Sequence, residues 1–235
     1  MNLDEQNGKL DLDRVVFIGR SFEEYMKIFS LSLEEVQGKK ILDCPSGACS
    51  FTAIANQLGV DVTACDLAYY HEAENLRHKG IEDIEHAMEH VESVKDNYVR
   101  DYFEDIEALK LERLNALNHC YGDMIKFTNR YVPVVLPVLP FKDEEFDLIL
   151  SAHLLFTYAD RLNYNFHEST INELLRVSKE ELRIFPLVDV EGKRYVHLDE
   201  IKKYLQGKGY TTEEVEVPYE FQRNANSMLI VKKGK

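Results

Sequence analysis

The chain has 235 residues, with 28 Lys and Arg against 42 Asp and Glu and a formal net charge of −14. At 45% hydrophobic and 30% charged residues, with 11 Gly and 6 Pro, its composition is that of a folded domain with a substantial core, which excludes a disordered or fibrous chain. It has no apolar run of the roughly 18 residues a membrane helix needs, and the acidic balance repels phosphate backbones and anionic lipid, so the expected partner is a small molecule, not nucleic acid or a membrane.

Residues 1–8 carry acids where a secretory leader needs positive charge and an apolar run, so a cytoplasmic location is expected. Residues 22–37, with Phe22, Tyr25, Met26, Phe29, Leu33 and Val36 at three- and four-residue steps, predict a short N-terminal helix. Ile41-Leu42-Asp43 is a brief apolar run entering a turn, and Phe51 to Leu58 resumes helical spacing up to Gly59. Val60 to Cys65 is a second β-rich run ending at Asp66, so residues 41–66 predict a βαβ unit with parallel strands.

From 71 to 130 the alternation stops. Ile81, Ile84, Met88, Val91, Val94, Tyr98 and Tyr102 mark the apolar stripe of a long helix or helix pair, and the segment holds 14 acids against 8 Lys and Arg. Strands are then expected at Tyr131–Val138 and Phe146–Ala152, a helix at Ile171–Val177 beginning near His167, and a strand at Leu182–Val188. A helix at Leu198–Gly207 and strands at Glu214–Val217 and Met228–Lys232 complete the chain. No Pro/Gly/Ser-rich linker divides it. One domain over 1–235 is expected, with 1–37 as a helical cap and 71–130 as a helical insertion that serves as a lid or a dimer surface.

The four cysteines, Cys44, Cys49, Cys65 and Cys120, show neither Cys-x-x-Cys spacing nor a companion His cluster. Reduced thiols are expected, with no disulfide framework and no metal site. The segment Asp43-Cys44-Pro45-Ser46-Gly47-Ala48-Cys49-Ser50 is a strand-to-helix turn of small residues, where a ligand approaches the backbone and the helix N-terminus. Asp66 ends the next strand 23 residues after Asp43, where an acid binds ribose hydroxyls. Together they point to a nucleoside-containing cofactor.

These segments resemble the class I S-adenosylmethionine-dependent methyltransferases, whose first motif runs apolar-apolar-acid-x-Gly-x-Gly-x-Gly and whose second ends in an acid. Pro45 and Cys49 stand where the family has its first and third glycines, and Gly47 keeps the middle one. Leu139-Pro140-Phe141 followed by Phe146-Asp147-Leu148-Ile149 is similar to the family's approach to its fourth strand. Residues 133–137, where the family usually carries an adenine-contacting acid, contain no carboxylate.

The resemblance implies an α/β, doubly wound, mostly parallel seven-stranded sheet with an antiparallel last strand and a long helical insertion after strand two. It implies S-adenosylmethionine as cofactor, held by Asp43, Pro45, Ser46, Gly47, Asp66, Leu67 and Ser151, with Arg20 pairing with the cofactor carboxylate. His153 and Tyr158, after the fourth strand, are the catalytic candidates, each with a plainer alternative as a loop-ordering or packing residue. His167 is a reserve candidate, and Arg223 is a contact to substrate or cofactor, or a structural tie. The same fold also accommodates a non-catalytic nucleoside- or partner-binding protein, a homodimer, or a nicotinamide enzyme. Asp43 disfavours the last because it would repel a pyrophosphate.

Overall fold

A computed structural model describes residues 16–93 and 105–234. Expected features at 1–15 and at Val94, Tyr98 and Tyr102 lie outside the described residues. The chain runs through α1 (Phe22–Ile28), α2 (Leu33–Val36), β1 (Lys40–Asp43), α3 (Phe51–Gln57), β2 (Asp61–Asp66), α4 (Ala73–Ser93) and α5 (Ile106–Met124). It continues through β3 (Tyr131–Pro133), β4 (Phe146–Ala152), α6 (Tyr164–Val177), β5 (Ser178–Phe185), α7 (Leu198–Gly207), β6 (Tyr210–Glu216) and β7 (Ser227–Lys233).

The seven strands form one sheet in the order β3-β2-β1-β4-β5-β7-β6. The pairs β3–β2, β2–β1, β1–β4 and β4–β5 are parallel, and β7 lies antiparallel between β5 and β6. This is the α/β, doubly wound, mostly parallel seven-stranded sheet with an antiparallel last strand expected from the sequence. The order reverses between β1 and β4, so the carboxyl ends of these two strands flank the switch point at which open α/β sheets take ligands.

Strand side chains alternate in direction, and the sheet buries both faces. Ile41, Leu148, Leu150 and Ile230 pack with Tyr25, Phe29 and Phe51 in one layer. Leu42, Ile149, Leu182, Ile184 and Val231 pack with Ile171, Leu174, Ile201 and Leu205 of α6 and α7 in the other. A third cluster joins Leu76, Ile84 and Met88 of α4 to Leu109, Leu117 and Cys120 of α5, so the inserted helices bury the described part of the expected stripe, Ile81 to Val91, against each other and against Tyr69 and Tyr131.

Several boundaries differ from the sequence reading for local reasons. The N-terminal helix is broken in two, because Ser30 adopts φ +48° and Ser32 starts a new helix by accepting from Glu35 N at 3.1 Å. The 131–138 strand stops at Pro133, and Val135 and Val138 instead bridge each other across a small loop. Helix α6 begins at Tyr164, capped by Asn163 Oδ1 accepting from Phe166 N at 2.9 Å. Strand β5 starts earlier, at Ser178, and ends at Phe185 before Pro186, which has no N–H to donate. Strand β6 likewise starts at Tyr210 and ends at Glu216.

Phe51 begins α3 fully buried, stacked at 5.1 Å on Tyr25 and 5.8 Å on Phe22. Phe51→Ala should lower the unfolding free energy by about 3–5 kcal/mol, read by denaturant titration. A loss below about 1 kcal/mol would mean that α1 does not depend on this ring.

Candidate functional site

The β1–α3 turn is built from its own backbone. Ser46 N donates to Cys65 O at 3.0 Å, and Gly47 N donates to Asp66 Oδ2 at 2.8 Å. Gly47 O accepts from Tyr69 OH at 2.8 Å. Gly47 adopts φ +57°, the left-handed conformation that glycine reaches at no steric cost. Pro45 lies in a cis peptide with Cys44, and Cys49 is buried two residues before α3.

Residues 17–22 lie across this turn as a strap. Arg20 N donates to Cys49 Sγ at 3.2 Å, Ser50 N to Arg20 O at 3.0 Å, and Phe22 N to Ser50 Oγ at 2.8 Å. A Cβ on Gly19 would sit 2.1 Å from the carbonyl carbon of Ala48, so only glycine permits this approach. Gly47 N and Ser50 N, donors at the helix N-terminus, are therefore engaged within the chain.

Asp43, at the end of β1, is completely buried. Its Oδ1 accepts from Tyr25 OH at 3.1 Å, while Oδ2 and the Ser46 hydroxyl lie near each other without meeting hydrogen-bond geometry with any group of the chain. Burial pushes its pKa up to about 7, opposed by the Ser46 and Tyr25 hydroxyls and reinforced by the charge of Asp66. Asp66 is also raised by burial, while the N–H groups of Ala68 and Gly47 favour its charged form. Ala68 N donates to its Oδ1 at 2.8 Å, so both oxygens brace the turn. Leu67 follows, half-buried, at the start of a short 3-10 turn.

Beyond β4, whose penultimate residue Ser151 is buried, His153 adopts φ +52° and anchors its N–H to Phe185 O at 2.8 Å. Its ring stands edge-on to Phe185 at 5.4 Å, and its buried Nε2 has no hydrogen-bond partner. Burial, with Arg20 and Arg113 nearby, drives its pKa well below the ordinary value, so it is neutral at physiological pH.

Arg20 stands beside this group with its side chain 17% exposed and its buried Nε, 3.9 Å from Glu24 Oε1, without a hydrogen-bond partner. Burial opposes its charge, but Tyr219, Glu24 and Cys49 hold its pKa above the ordinary arginine value. The structure thus gathers Arg20, Asp43, Ser46, Gly47, Asp66 and His153 at the carboxyl ends of β1, β2 and β4.

Tyr158 stands apart, its ring 5.4 Å from the Arg161 guanidinium. His167 is a packing residue, stacked between Phe156 and Tyr195, with Nδ1 2.7 Å from Asn163 O and Nε2 2.8 Å from Leu155 O. From the β6–β7 loop it is Tyr219, 3% exposed, that enters the cluster, whereas Arg223 is exposed. Sequence reasoning missed Glu24 and Arg113. Ser21 followed by Glu24 is a capping-box signature, and the box is formed, but nothing local reveals that Glu24 also meets Arg113 on α5.

Among the described residues, no group of three or more His, Cys, Asp or Glu is arranged to hold a metal, the four cysteines are free and buried, and no helix is long and apolar enough to cross a membrane.

No protein-family model matches the sequence. The chain is 34% identical over 225 residues to the uncharacterized protein MJ0045 of Methanocaldococcus jannaschii, a match covering 95% of this chain and 99% of the relative. Among solved structures it is similar to magnesium protoporphyrin IX methyltransferase from Synechocystis PCC 6803 with bound SAM, at 13% identity and TM-score 0.47, covering 97% of this chain and 100% of that one. It is also similar to a SAM-dependent methyltransferase from Aquifex aeolicus, at 15% identity and TM-score 0.44, covering 95% and 98%.

Because the folded Asp43 pKa of about 7 lies above the ordinary 3.8, the native state holds the extra proton between these values, and this contribution to stability is lost as pH rises through about 7. Asp43→Asn should therefore stabilise the unliganded protein above pH 7, by at most roughly 4 kcal/mol, with the difference shrinking toward pH 4. Thermal melts of both proteins across this range test it; a constant offset at every pH would refute the assignment.

Proposed function

The chain belongs to the family of the Methanocaldococcus jannaschii protein MJ0045, and we propose that it is an S-adenosylmethionine-dependent methyltransferase acting on a small-molecule acceptor in the cytoplasm. The observation that carries this reading is the set of orphaned polar atoms at the switch point: Asp43 Oδ2, Ser46 Oγ, Arg20 Nε and His153 Nε2 are buried with no hydrogen-bond partner. Buried polar atoms are nearly always paired in native proteins, so a group of orphans at one strand end calls for a ligand. An acid at the end of β1 and a guanidinium on the strap over the same turn fit the ammonium and carboxylate of an amino acid, which this cofactor carries and a dinucleotide lacks.

When bound, the cofactor supplies a methyl group already activated by a positively charged sulfur. The protein's task is to bind, orient and exclude water. Asp43 takes the ammonium and Arg20 the carboxylate. Asp66 takes the ribose hydroxyls through lone pairs left over from its two backbone bonds, and Pro45, Ser46, Gly47 and Leu67 form the adjoining wall. His153, neutral and with its Nε2 unpaired, orients the acceptor by hydrogen bonding. Ser151 borders the acceptor's approach, and the rings of Phe185 and Tyr219, packed edge-to-face at 5.8 Å, screen the site from water. The inserted helices, through α5, cover the turn, with Cys120 Sγ 3.8 Å from Gly47 O.

Calorimetric titration with S-adenosylmethionine, S-adenosylhomocysteine and a reduced nicotinamide dinucleotide tests the reading. The sulfur compounds should bind and the dinucleotide should not. Asp66→Ala should weaken binding by about 1–3 kcal/mol. Affinity should be full above pH 7 and fall as pH drops through about 7, because Asp43 must then lose a proton to meet the ammonium. Binding of the dinucleotide alone would favour an oxidoreductase. Binding of neither would leave the non-catalytic reading, and affinity independent of pH would remove Asp43 from the site.

A further inference from the structure

Segments far apart in the chain meet through one carboxylate on the N-terminal helix. Glu24 is 2% exposed, and both of its oxygens are taken by Arg113 of α5, itself 2% exposed. Nη2 donates to Oε1 at 2.9 Å, and Nη1 makes a shorter contact with Oε2. Oε1 also accepts from Tyr219 OH at 2.9 Å, and Oε2 from Ser21 N at 2.9 Å. Arg20 comes no nearer to Glu24 than an ion-pair distance of 3.9 Å from Nε, while Tyr219 interacts with Arg20 as well.

Two guanidiniums thus share one carboxylate, and Arg113 holds it. Arg20 and Glu24 are four residues apart and of opposite charge, so without Arg113 the carboxylate would turn to Arg20 as its nearest cation and occupy the face a ligand needs. With Arg113 present, one carboxylate answers two guanidiniums, so the Arg20–Glu24–Arg113 group keeps a net positive charge, and Arg20 Nε, 3.9 Å from Glu24, has no hydrogen-bond partner. We propose that Arg113 is a positioning residue: by clasping both oxygens of Glu24 it keeps that carboxylate off Arg20 and so presents Arg20 to the carboxylate of the ligand. The inserted helices thereby help set affinity for the amino-acid end of the cofactor. This rests on the reading of Arg20 given above.

The test compares S-adenosylhomocysteine with 5′-methylthioadenosine, which has the thioether nucleoside but no amino-acid group, by calorimetry on the full chain. Arg113→Met should lose about tenfold or more in affinity for S-adenosylhomocysteine while methylthioadenosine changes by less than about twofold. Adding Glu24→Gln to Arg113→Met should restore S-adenosylhomocysteine binding, since a neutral amide does not compete for Arg20. A purely structural role predicts that both ligands weaken together and that the double variant recovers nothing, and either result overturns the proposal. Unchanged S-adenosylhomocysteine affinity in Arg113→Met overturns it too. If Arg113→Met does not fold, the double variant, which leaves neither charge of the pair buried alone, decides: loss of its preference for S-adenosylhomocysteine over methylthioadenosine is the refuting result. Failure of the unmodified protein to bind either compound would instead bring down the cofactor reading itself.

Discussion

The structure turns on a carboxylate confined where the fold leaves no water. Asp43 ends a central strand flanked by parallel neighbours on both sides, with α1 and α3 packed over it, and it is completely buried. An ionised carboxylate in such a place is costly unless it is paired. The phenol of Tyr25 satisfies one oxygen, and the other has only the neighbouring Ser46 hydroxyl, short of hydrogen-bond geometry. Much of the surrounding architecture follows from this: a helix supplies the tyrosine, a strap fixes that helix over the β1–α3 turn, and an arginine stands at the edge of the group.

The strap gives the N-terminal segment its meaning. Backbone packs on backbone at Gly19 and Ala48, and bonds from Arg20, Ser50 and Phe22 stitch the strap to the turn. Positions where other proteins of this resemblance carry glycines are held here by Pro45 and Cys49. The turn keeps its shape because Asp66 and Tyr69 grip Gly47 from the neighbouring strand end.

A buried ion pair such as Glu24–Arg113 is weak evidence for stability, since the desolvation of both partners offsets most of their attraction. Burial alone would raise the Glu24 pKa, and it is chiefly Arg113, with Arg20 behind it, that brings the value below the ordinary one. Such a pair fixes the arrangement of the groups around it more than it adds free energy. In this protein it joins the N-terminal helix, the inserted helices and the β6–β7 loop at one point, so a change in any of them is felt at Arg20.

The sequence by itself determined the α/β alternation, the seven strand segments and the position of the turn, which rest on local periodicity and on spacing within tens of residues. The antiparallel last strand was implied by the resemblance to a known family and not by any local pattern. The sequence also marked Asp43, Gly47 and Asp66, because strand ends and small residues are local signals. Boundaries slipped where one residue overrode the pattern, as at Ser30, Pro133 and Asn163. Only the tertiary structure decided that Glu24 meets Arg113 across 89 positions and Tyr219 across 195, that Tyr219 enters the cluster, and that His167 packs in the core. Such pairings are set by which helix faces and loop ends the sheet order brings together, and a charge leaves no periodic trace of its partner along the chain.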